Sequence, residues 1–386
     1  MRSPHLTVFM HPRTFWNWKF SGISRYVCEL TEELLKKGVN VQIPIKETRN
    51  EYLKNASFFD NTSREVCEAS YTIRLMRRLL SITPLREKAR RAELRSQALN
   101  FLKTKEFDII HPTHNNATEI LPFIGNKPLV ITVHDMTHEL FPSSFPKNDP
   151  SSERKRIFAE RADRIIAISE CTKNDLVRLF HINPDKIDVI HHGNSLKLPH
   201  NHQNIHMDLP ERYILFVGKR EGYKNFESLA QAFSIISKED DSLMLICAGG
   251  GAFTAKEQDF LSSLKIQNKT KQMWVTDEEL AILYNRCQCF VYPSEYEGFG
   301  LPLLEAFECK APVLCSRASC FPEVAANGAL YFEPKNVSQL AELIRSVISS
   351  TSKQEELKAA GSRRLQDFSW EKCAQKTLET YQKVLK

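Results

Sequence analysis

Short apolar runs alternate with longer amphipathic segments through most of the chain. The short runs are rich in β-branched and aromatic residues and end at glycine, proline or polar residues, which is typical of buried strands. The longer segments repeat apolar residues at spacings of three and four, which predicts helices with one buried face. This alternation of strand and helix favours an α/β fold class with mainly parallel sheets.

The pattern predicts two successive sets of elements. In the first half we predict strands over residues 6–10, 39–43, 107–111, 129–133, 164–168 and 186–190, and helices such as 23–37 and 171–180. In the second half we predict strands over 213–217, 243–247, 272–275, 289–292, 313–315 and 329–332, and helices over 225–237, 257–264 and 277–286.

A polar stretch without periodicity, residues 197–209, separates the two sets. A chain of 386 residues is long enough for two domains with separate cores. We therefore predict an N-terminal domain over 1–198, a linker over 199–209 and a C-terminal domain over 210–368. Both are expected to be Rossmann-like, doubly wound sheets that face each other across a cleft. Such sheets bind ligands at the carboxyl ends of their strands.

Composition narrows the class of protein. Hydrophobic residues at 42% and charged residues at 26% are ordinary for a globular domain, and a net charge of +6 does not demand nucleic acid. No apolar run of about 18 residues predicts a membrane span. The run 6–10 is too short for a signal peptide, and the ten cysteines are interpreted as reduced thiols. We therefore expect a cytoplasmic protein.

The most informative segment lies between Glu297 and Glu305. A predicted strand ends at a Pro-Ser pair, a Gly-Phe-Gly turn follows, and Pro302 suits the first turn of a helix. This layout offers backbone N–H groups and a positive helix end to an anion or to sugar hydroxyls, with Glu305 about two turns into the helix. The alternative is a β-turn-α unit whose glutamates are only solvated.

A basic turn opens the second half, over residues 216–225. A predicted strand ends just before Gly218. The turn that leads to the next helix carries two cations, Arg220 and Lys224, with Lys219 as a third candidate. Fixed N–H donors with arginine and lysine heads suit a phosphate. The alternative is a solvated basic turn.

Two positions in the first half also lie where a strand meets a turn. Gly22 precedes a helix and would let the backbone approach a phosphate or sugar, although Ser21 and Ser24 are equally well explained as helix N-caps. His134 ends a predicted strand, and its intrinsic pKa allows either charge state near neutrality. It could donate to a sugar hydroxyl or phosphate, or it could be structural.

The Glu-Gly-Phe-Gly-Leu-Pro block and the second glutamate resemble the E-x7-E signature of retaining GT-B glycosyltransferases of family 4. The resemblance implies transfer of a hexose from a nucleoside diphosphate sugar to a glycan or lipid-linked acceptor in cell-surface polysaccharide synthesis. GDP-mannose is the first choice of donor, and UDP- and dTDP-sugars remain alternatives. A closing helix over 369–386 is expected to cross back onto the first domain.

The resemblance also implies roles for individual residues. Arg220 and Lys224 would grip the diphosphate, Glu305 the ribose, and Glu297 and His134 the transferred sugar. The remaining donor contacts would come from Gly22, Gly298, Phe299, Gly300 and Leu301. No Asp-x-Asp pair is present, so no metal and no cofactor are expected.

Three alternatives stay open at this point. A nucleotide-sugar epimerase or a non-catalytic nucleotide-sugar-binding protein could share the architecture. Separately, basic and apolar residues mix at helical spacing over 73–95, which suits an anionic membrane surface and a peripheral location. A solvated helix face explains that segment equally well.

Overall fold

The computed structural model describes residues 6–16, 18–59, 83–113 and 117–385. The chain divides into two compact units. The first unit comprises Met1–Glu139, Lys147–His192 and Trp370–Lys386, and the second comprises Leu140–Pro146 and Gly193–Ser369. The division at His192 differs from the boundary predicted at 198, and the sequence analysis does not predict that Leu140–Pro146 joins the second unit.

The first unit contains two three-stranded parallel sheets, with strand orders β2-β1-β3 and β4-β5-β6. A single bridge between Ile110 and Leu129 connects them. The strands are β1 Thr7–Met10, β2 Asn40–Gln42, β3 Ile109–His111, β4 Val130–Val133, β5 Arg164–Ala167 and β6 Ile187–Val189. All residues of β3 and β4 are buried, as expected of parallel strands covered on both faces.

Seven α-helices belong mainly to the described part of this unit. They are α1 Gly22–Lys36, α2 Glu51–Asn55, α3 Thr83–Thr104, α4 Thr137–Leu140, α5 Ser151–Arg161, α6 Glu170–Phe180 and α14 Trp370–Val384. The C-terminal α14 packs on α1, where the rings of Tyr26 and Trp370 lie 6.1 Å apart. Its Tyr381 hydroxyl lies 2.6 Å from Nδ1 of His111, so the last helix is part of this core.

The second unit is built on one six-stranded parallel sheet of order β12-β11-β10-β7-β8-β9. Its strands are β7 Arg212–Val217, β8 Leu243–Ala248, β9 Thr270–Met273, β10 Cys289–Tyr292, β11 Val313–Ser316 and β12 Leu330–Phe332. The chain builds outward from β7 to β9 and then returns to place β10 on the other side of β7. The strand order therefore reverses between β7 and β10, where such sheets bind ligands.

The helices of the second unit are α7 Phe226–Ile236, α8 Ala255–Ser263, α9 Asp277–Arg286, α10 Leu301–Glu308, α11 Phe321–Ala325, α12 Val337–Ile348 and α13 Thr351–Leu365. Local sequence explains several of their starts. Thr254 and Thr276 form capping boxes with Glu257 and Glu279, and Pro302 lies in the first turn of α10. None of the helices in the described ranges is long and apolar enough to cross a membrane.

The predicted parallel α/β architecture is confirmed, with element ends shifted by a residue or two. The largest shift is in β9, predicted at 272–275 and found at Thr270–Met273. The prediction that Glu305 lies about two turns into its helix is wrong. The helix α10 begins at Leu301, so Glu305 follows its start by just over one turn. Residues 73–82 of the basic segment lie outside the described residues, and residues 83–95 belong to α3.

Candidate active site

The loops that follow β7 and β10 meet through an ion pair. Lys224 Nζ lies 2.6 Å from Oε1 of Glu297, and both side chains are mostly buried, at 21% and 14% exposed. The Ser294 hydroxyl donates to the same carboxylate oxygen at 2.8 Å, and the Glu297 amide donates to Ser319 Oγ at 3.0 Å. The structure therefore brings together two residues that the sequence predicted to share a site, and it holds the carboxylate in one orientation.

Asn225 joins the loops after β7 and β10 through side-chain hydrogen bonds. Its φ of 54° lies in the left-handed region, which asparagine tolerates better than most residues. Its Nδ2 donates to the carbonyl oxygens of Pro293 and Pro334 at 3.0 and 2.6 Å, and Ser228 Oγ donates to its Oδ1 at 2.7 Å. The sequence analysis predicts Asn225 only as the first residue of a helix. The available signal was an asparagine directly after a Gly-Tyr-Lys turn.

Tyr292, the last residue of β10, is a further neighbour of Glu297 that the sequence did not identify. Burial, followed by the charge of Glu297 and a hydrogen bond to it, raises the pKa of Tyr292 well above its ordinary value. The phenol therefore stays protonated at neutral pH. It supplies a hydroxyl to the same carboxylate that Lys224 and Ser294 contact.

The turn between the two glutamates depends on Gly300. Its φ is 83°, a conformation that other residues adopt only with strain, and a Cβ built on it would lie 3.0 Å from the ring of Phe321, which would have to shift. Gly300, the N-cap residue of α10, has no side chain that could cap the first turn. Glu305 is buried, and the hydroxyl of Tyr284 lies 3.3 Å from its Oε2. The helix start predicted at this turn is therefore present, and the Glu305 carboxylate within it is buried.

The guanidinium group of Arg220 forms hydrogen bonds within the protein. Its Nε donates to Glu257 Oε1 at 2.7 Å and its Nη2 donates to the Gly251 carbonyl at 2.8 Å, while the guanidinium lies 4.6 Å from the ring centre of Phe253. Only 2% of its side chain is exposed. Most of its N–H groups therefore already have acceptors, and its contact with a phosphate stays a prediction.

The guanidinium instead holds the glycine loop after β8 against the turn after β7. A Cβ on Gly250 would lie 2.5 Å from the Gly218 carbonyl oxygen, so the two backbones approach too closely for any side chain. Lys219, which the sequence treated as the less certain cation, is exposed beside this contact. Arg220 lines a cavity of about 670 Å³ together with Asn225 and Glu257, and the phosphate contacts of Lys219 and Arg220 both stay predictions.

His134 directly follows β4 in the first unit. Its Nε2 lies 3.0 Å from the carbonyl oxygen of Thr113, which assigns the proton to Nε2. Desolvation lowers the pKa of His134 to about 4, and the carboxylate of Asp135 offsets only part of this effect. The expectation that either charge state is available near neutrality is therefore corrected: the ring is neutral, and Nδ1 is an acceptor.

Gly22 is exposed and is the first residue of α1. Ser21 Oγ accepts a hydrogen bond from the Ser24 amide at 3.1 Å, so the helix-capping interpretation of the serines is confirmed. The proposed approach of a ligand to Gly22 stays a prediction. So do the ligand contacts of Gly298, Phe299 and Leu301, which form the turn and helix start of the second unit.

No cluster of three or more histidine, cysteine, aspartate or glutamate side chains within the described residues has the arrangement of a metal site. The polar side chains that meet at the Glu297 carboxylate in the described structure are those of Lys224, Ser294 and Tyr292. Such a set can bind hydroxyl groups and can place one positive charge beside a carboxylate.

Comparison with known proteins identifies the family. Residues 20–197 match the model described as Glycosyltransferase Family 4, and residues 199–364 match the model described as Glycosyl transferases group 1. The O-antigen chain mannosyltransferase B of Escherichia coli is 28% identical over 94% of this chain and 96% of its own length.

Solved structures share the fold over almost the whole chain. Sucrose-phosphate synthase from Thermosynechococcus elongatus has a TM-score of 0.73 at 18% identity and covers 98% of both chains. HepE of Anabaena, in complex with UDP-glucose, has a TM-score of 0.72 at 18% identity and covers 98% of this chain and all of its own. With both of its halves matched by glycosyltransferase models, this chain belongs to the family 4-like glycosyltransferases of GT-B fold.

Proposed function

We propose that this protein is a retaining hexosyltransferase. It moves a hexose from a nucleoside diphosphate sugar to a hydroxyl of a glycan or lipid-linked acceptor in cell-surface polysaccharide synthesis. The observation that carries the proposal is the contact of Lys224, Ser294 and Glu297 at the strand-order reversal of the second unit. The O-antigen mannosyltransferase relative supports mannose as the sugar, and GDP-mannose is the first donor to test.

The donor diphosphate would be neutralised by fixed protein cations. Lys224 and the exposed Lys219 supply positive charge at the end of β7. The uncapped first turn of α10 adds backbone N–H donors and the positive end of a helix dipole. Glu305 would accept hydrogen bonds from the ribose. This arrangement needs no divalent metal and no cofactor, and HepE of Anabaena supports it as a fold that accommodates a nucleotide sugar.

In the reaction, the bond between the sugar's anomeric carbon and the phosphate oxygen breaks, and a bond to the acceptor oxygen forms. The proton of the acceptor hydroxyl passes to the departing phosphate, and approach on the same face of the sugar retains the configuration. Lys224 stabilises charge that grows on the leaving diphosphate. Glu297, held by Lys224, Ser294 and Tyr292, favours positive charge on the sugar ring and accepts from one of its hydroxyls.

His134 would contact the transferred sugar through Nδ1, because Nε2 is bonded to Thr113. A neutral Nδ1 accepts a hydrogen bond, so the group that it meets would be a sugar hydroxyl and not a phosphate oxygen. This reverses the donor role predicted from the sequence.

The direct test is transfer of labelled sugar from GDP-mannose to a glycan acceptor, with the product's anomeric configuration read by NMR. We expect the configuration of the donor to be retained and turnover to persist in EDTA. Lys224→Gln should lower turnover at least about a hundredfold, and Lys335→Gln, an exposed lysine of the same unit, should not. Release of an epimer without acceptor, or binding of donor without turnover, would identify one of the two alternative functions instead.

A further inference from the structure

A short segment of the chain joins the second unit, although the residues on either side of it belong to the first. It comprises Leu140–Pro146, and we call it the strap. The first unit ends at Glu139 before the strap and resumes at Lys147 after it. The second unit therefore includes a segment that is distant in sequence from its other elements.

The strap has a defined backbone conformation. A 3₁₀ turn begins at Pro142, and the amide of Ser144 donates to the carbonyl oxygen of Phe141 at 3.0 Å. The amide of Phe145 donates to the carbonyl oxygen of Pro142 at 3.2 Å. Phe145 itself is extended, as expected of a residue that precedes a proline. Local hydrogen bonds and two prolines, whose φ is fixed, thus make the strap a structured element.

Phe141 of the strap contacts both loops on which the proposed chemistry depends. Its ring centre lies 5.3 Å from that of Tyr223, in the loop after β7, and 6.1 Å from that of Tyr296, in the loop after β10. Both separations are typical of attractive aromatic pairs. Tyr223 directly precedes Lys224, and Tyr296 directly precedes Glu297. One phenylalanine therefore contacts the sequence neighbours of both members of the ion pair.

Further contacts connect the strap and the two loops. A Cβ built on Gly222 would lie 2.9 Å from Ser144 Oγ, so the strap approaches the loop after β7 at a residue without a side chain. The amide of Glu295 donates to the carbonyl oxygen of Tyr223 at 2.7 Å, which joins the two loops beside the rings. The Tyr223 ring centre also lies 5.1 Å from Nζ of Lys224, a cation–π distance. The position of the Lys224 ammonium group is therefore linked to that of the Tyr223 ring.

We propose that Phe141 is a positioning residue of the donor site. Through Tyr223 and Tyr296, it holds the loops after β7 and β10 at the separation that the Lys224–Glu297 ion pair requires. Charges that are fixed in advance act on the bound donor and on the transition state, so loss of the ring should affect both binding and turnover. The effect on catalysis rests on the proposed function, whereas the effect on the loops does not.

Hydrogen exchange of the full chain, measured by mass spectrometry, tests the effect on the loops. Phe141→Ala should accelerate amide exchange at residues 222–225 and 294–298 at least about tenfold, because a contact that restrains both loops is removed. Peptides from β8 and β9 should exchange as in the wild type. Phe123→Ala is the matched control, since it removes a phenylalanine of the first unit that is 41% exposed. It should leave exchange at both loops unchanged.

Steady-state kinetics with GDP-mannose, the first donor to test, measure the effect on catalysis. Phe141→Ala should raise the donor KM and lower kcat, each about three- to tenfold, because both binding and the transition state lose a fixed arrangement of charges. Phe141→Tyr keeps the aromatic ring and should recover most of both losses. A change in stability alone would not produce this pattern at a temperature where all the variants are folded.

Exchange at both loops that is unchanged in Phe141→Ala would overturn the proposal, and so would an equal acceleration in Phe123→Ala or throughout the second unit. If the alanine variant does not fold, Phe141→Leu makes a smaller change and should accelerate exchange at the same two loops. If the wild type transfers no sugar, the proposed function fails, while loop exchange in the variants still decides the role of Phe141.

Discussion

At the residue scale, the proposed chemistry depends on the restricted conformation of the Glu297 side chain. Lys224, Ser294 and Tyr292 all contact this carboxylate, and its own amide is tied to Ser319. A group held in this way is placed before the substrate arrives, which lowers the reorganisation needed in the transition state.

Replacement of Glu297 by glutamine keeps the size of the side chain and removes its charge. We expect turnover to fall about 10²- to 10³-fold with a small change in donor KM, because the charge acts mainly in the transition state. Steady-state kinetics would measure this, with Glu295→Gln as the matched control, since Glu295 is a nearby glutamate that pairs with Lys335. Equal losses in the two variants would contradict the role given to Glu297.

Arg220 and Lys219 are adjacent, but the side chain of Arg220 is buried and bonded within the protein, whereas Lys219 is exposed. Arg220→Gln should reduce the free energy of unfolding by about 3 kcal/mol, because it leaves the Glu257 carboxylate without its cation and the carbonyls of the glycine loop without their donor. Lys219→Gln should leave the unfolding temperature unchanged and raise the donor KM. Thermal unfolding and kinetics of the two variants separate these effects. A raised donor KM in Arg220→Gln without a loss of stability would instead support the phosphate contact predicted for Arg220.

At the element scale, pattern and chemistry predicted the strands and the two loops that carry Lys224 and Glu297. They could not predict which of two neighbouring cations points outward. The side chain of Arg220 turns inward because Glu257, the capping residue of α8, lies beside it, and that contact joins residues distant in sequence. The same limitation applies to Asn225, whose partners Pro293 and Pro334 become its neighbours only when the sheet forms.

The close approach of the turns after β7 and β8 gives a prediction for two glycines with similar backbones. Gly250 and Gly251 have φ of 71° and 84°, so alanine is strained at both, but only at Gly250 would a Cβ meet backbone. Gly250→Ala should therefore destabilise the protein by more than Gly251→Ala does, and by more than about 1 kcal/mol in total. Chemical denaturation measures both, and equal losses would show that the two turns are not in contact.

The histidines at the ends of β3 and β4 predict acid sensitivity. Burial lowers the pKa of His111 to about 3, and desolvation lowers that of His134 to about 4. The unfolded chain therefore binds more protons than the folded chain between these values and about 6.5, so stability is full above pH 6.5 and is lost as pH falls toward 4. NMR titration of the imidazole signals checks this directly, and a midpoint for His134 near 6.5 would contradict it.

At the scale of the whole molecule, each unit presents its own set of polar groups at the carboxyl ends of its strands. The second unit carries the lysines and glutamates proposed for the donor, and the first carries His134. The resemblance seen in the sequence was sufficient to identify the family and the donor-side loops. It did not show which ring nitrogen of His134 is bonded, because Thr113 meets that ring only in the folded chain.

The central claim is that protein cations, and not a divalent metal, neutralise the donor diphosphate at the strand-order reversal of the second unit. Its most direct test is calorimetric titration of GDP, UDP, dTDP and ADP in EDTA, with the wild type and with Lys224→Gln. The account predicts that one nucleotide binds the wild type in EDTA and binds Lys224→Gln at least about tenfold more weakly. Binding only in the presence of Mg²⁺ or Mn²⁺, or equal affinity in both proteins, would contradict it.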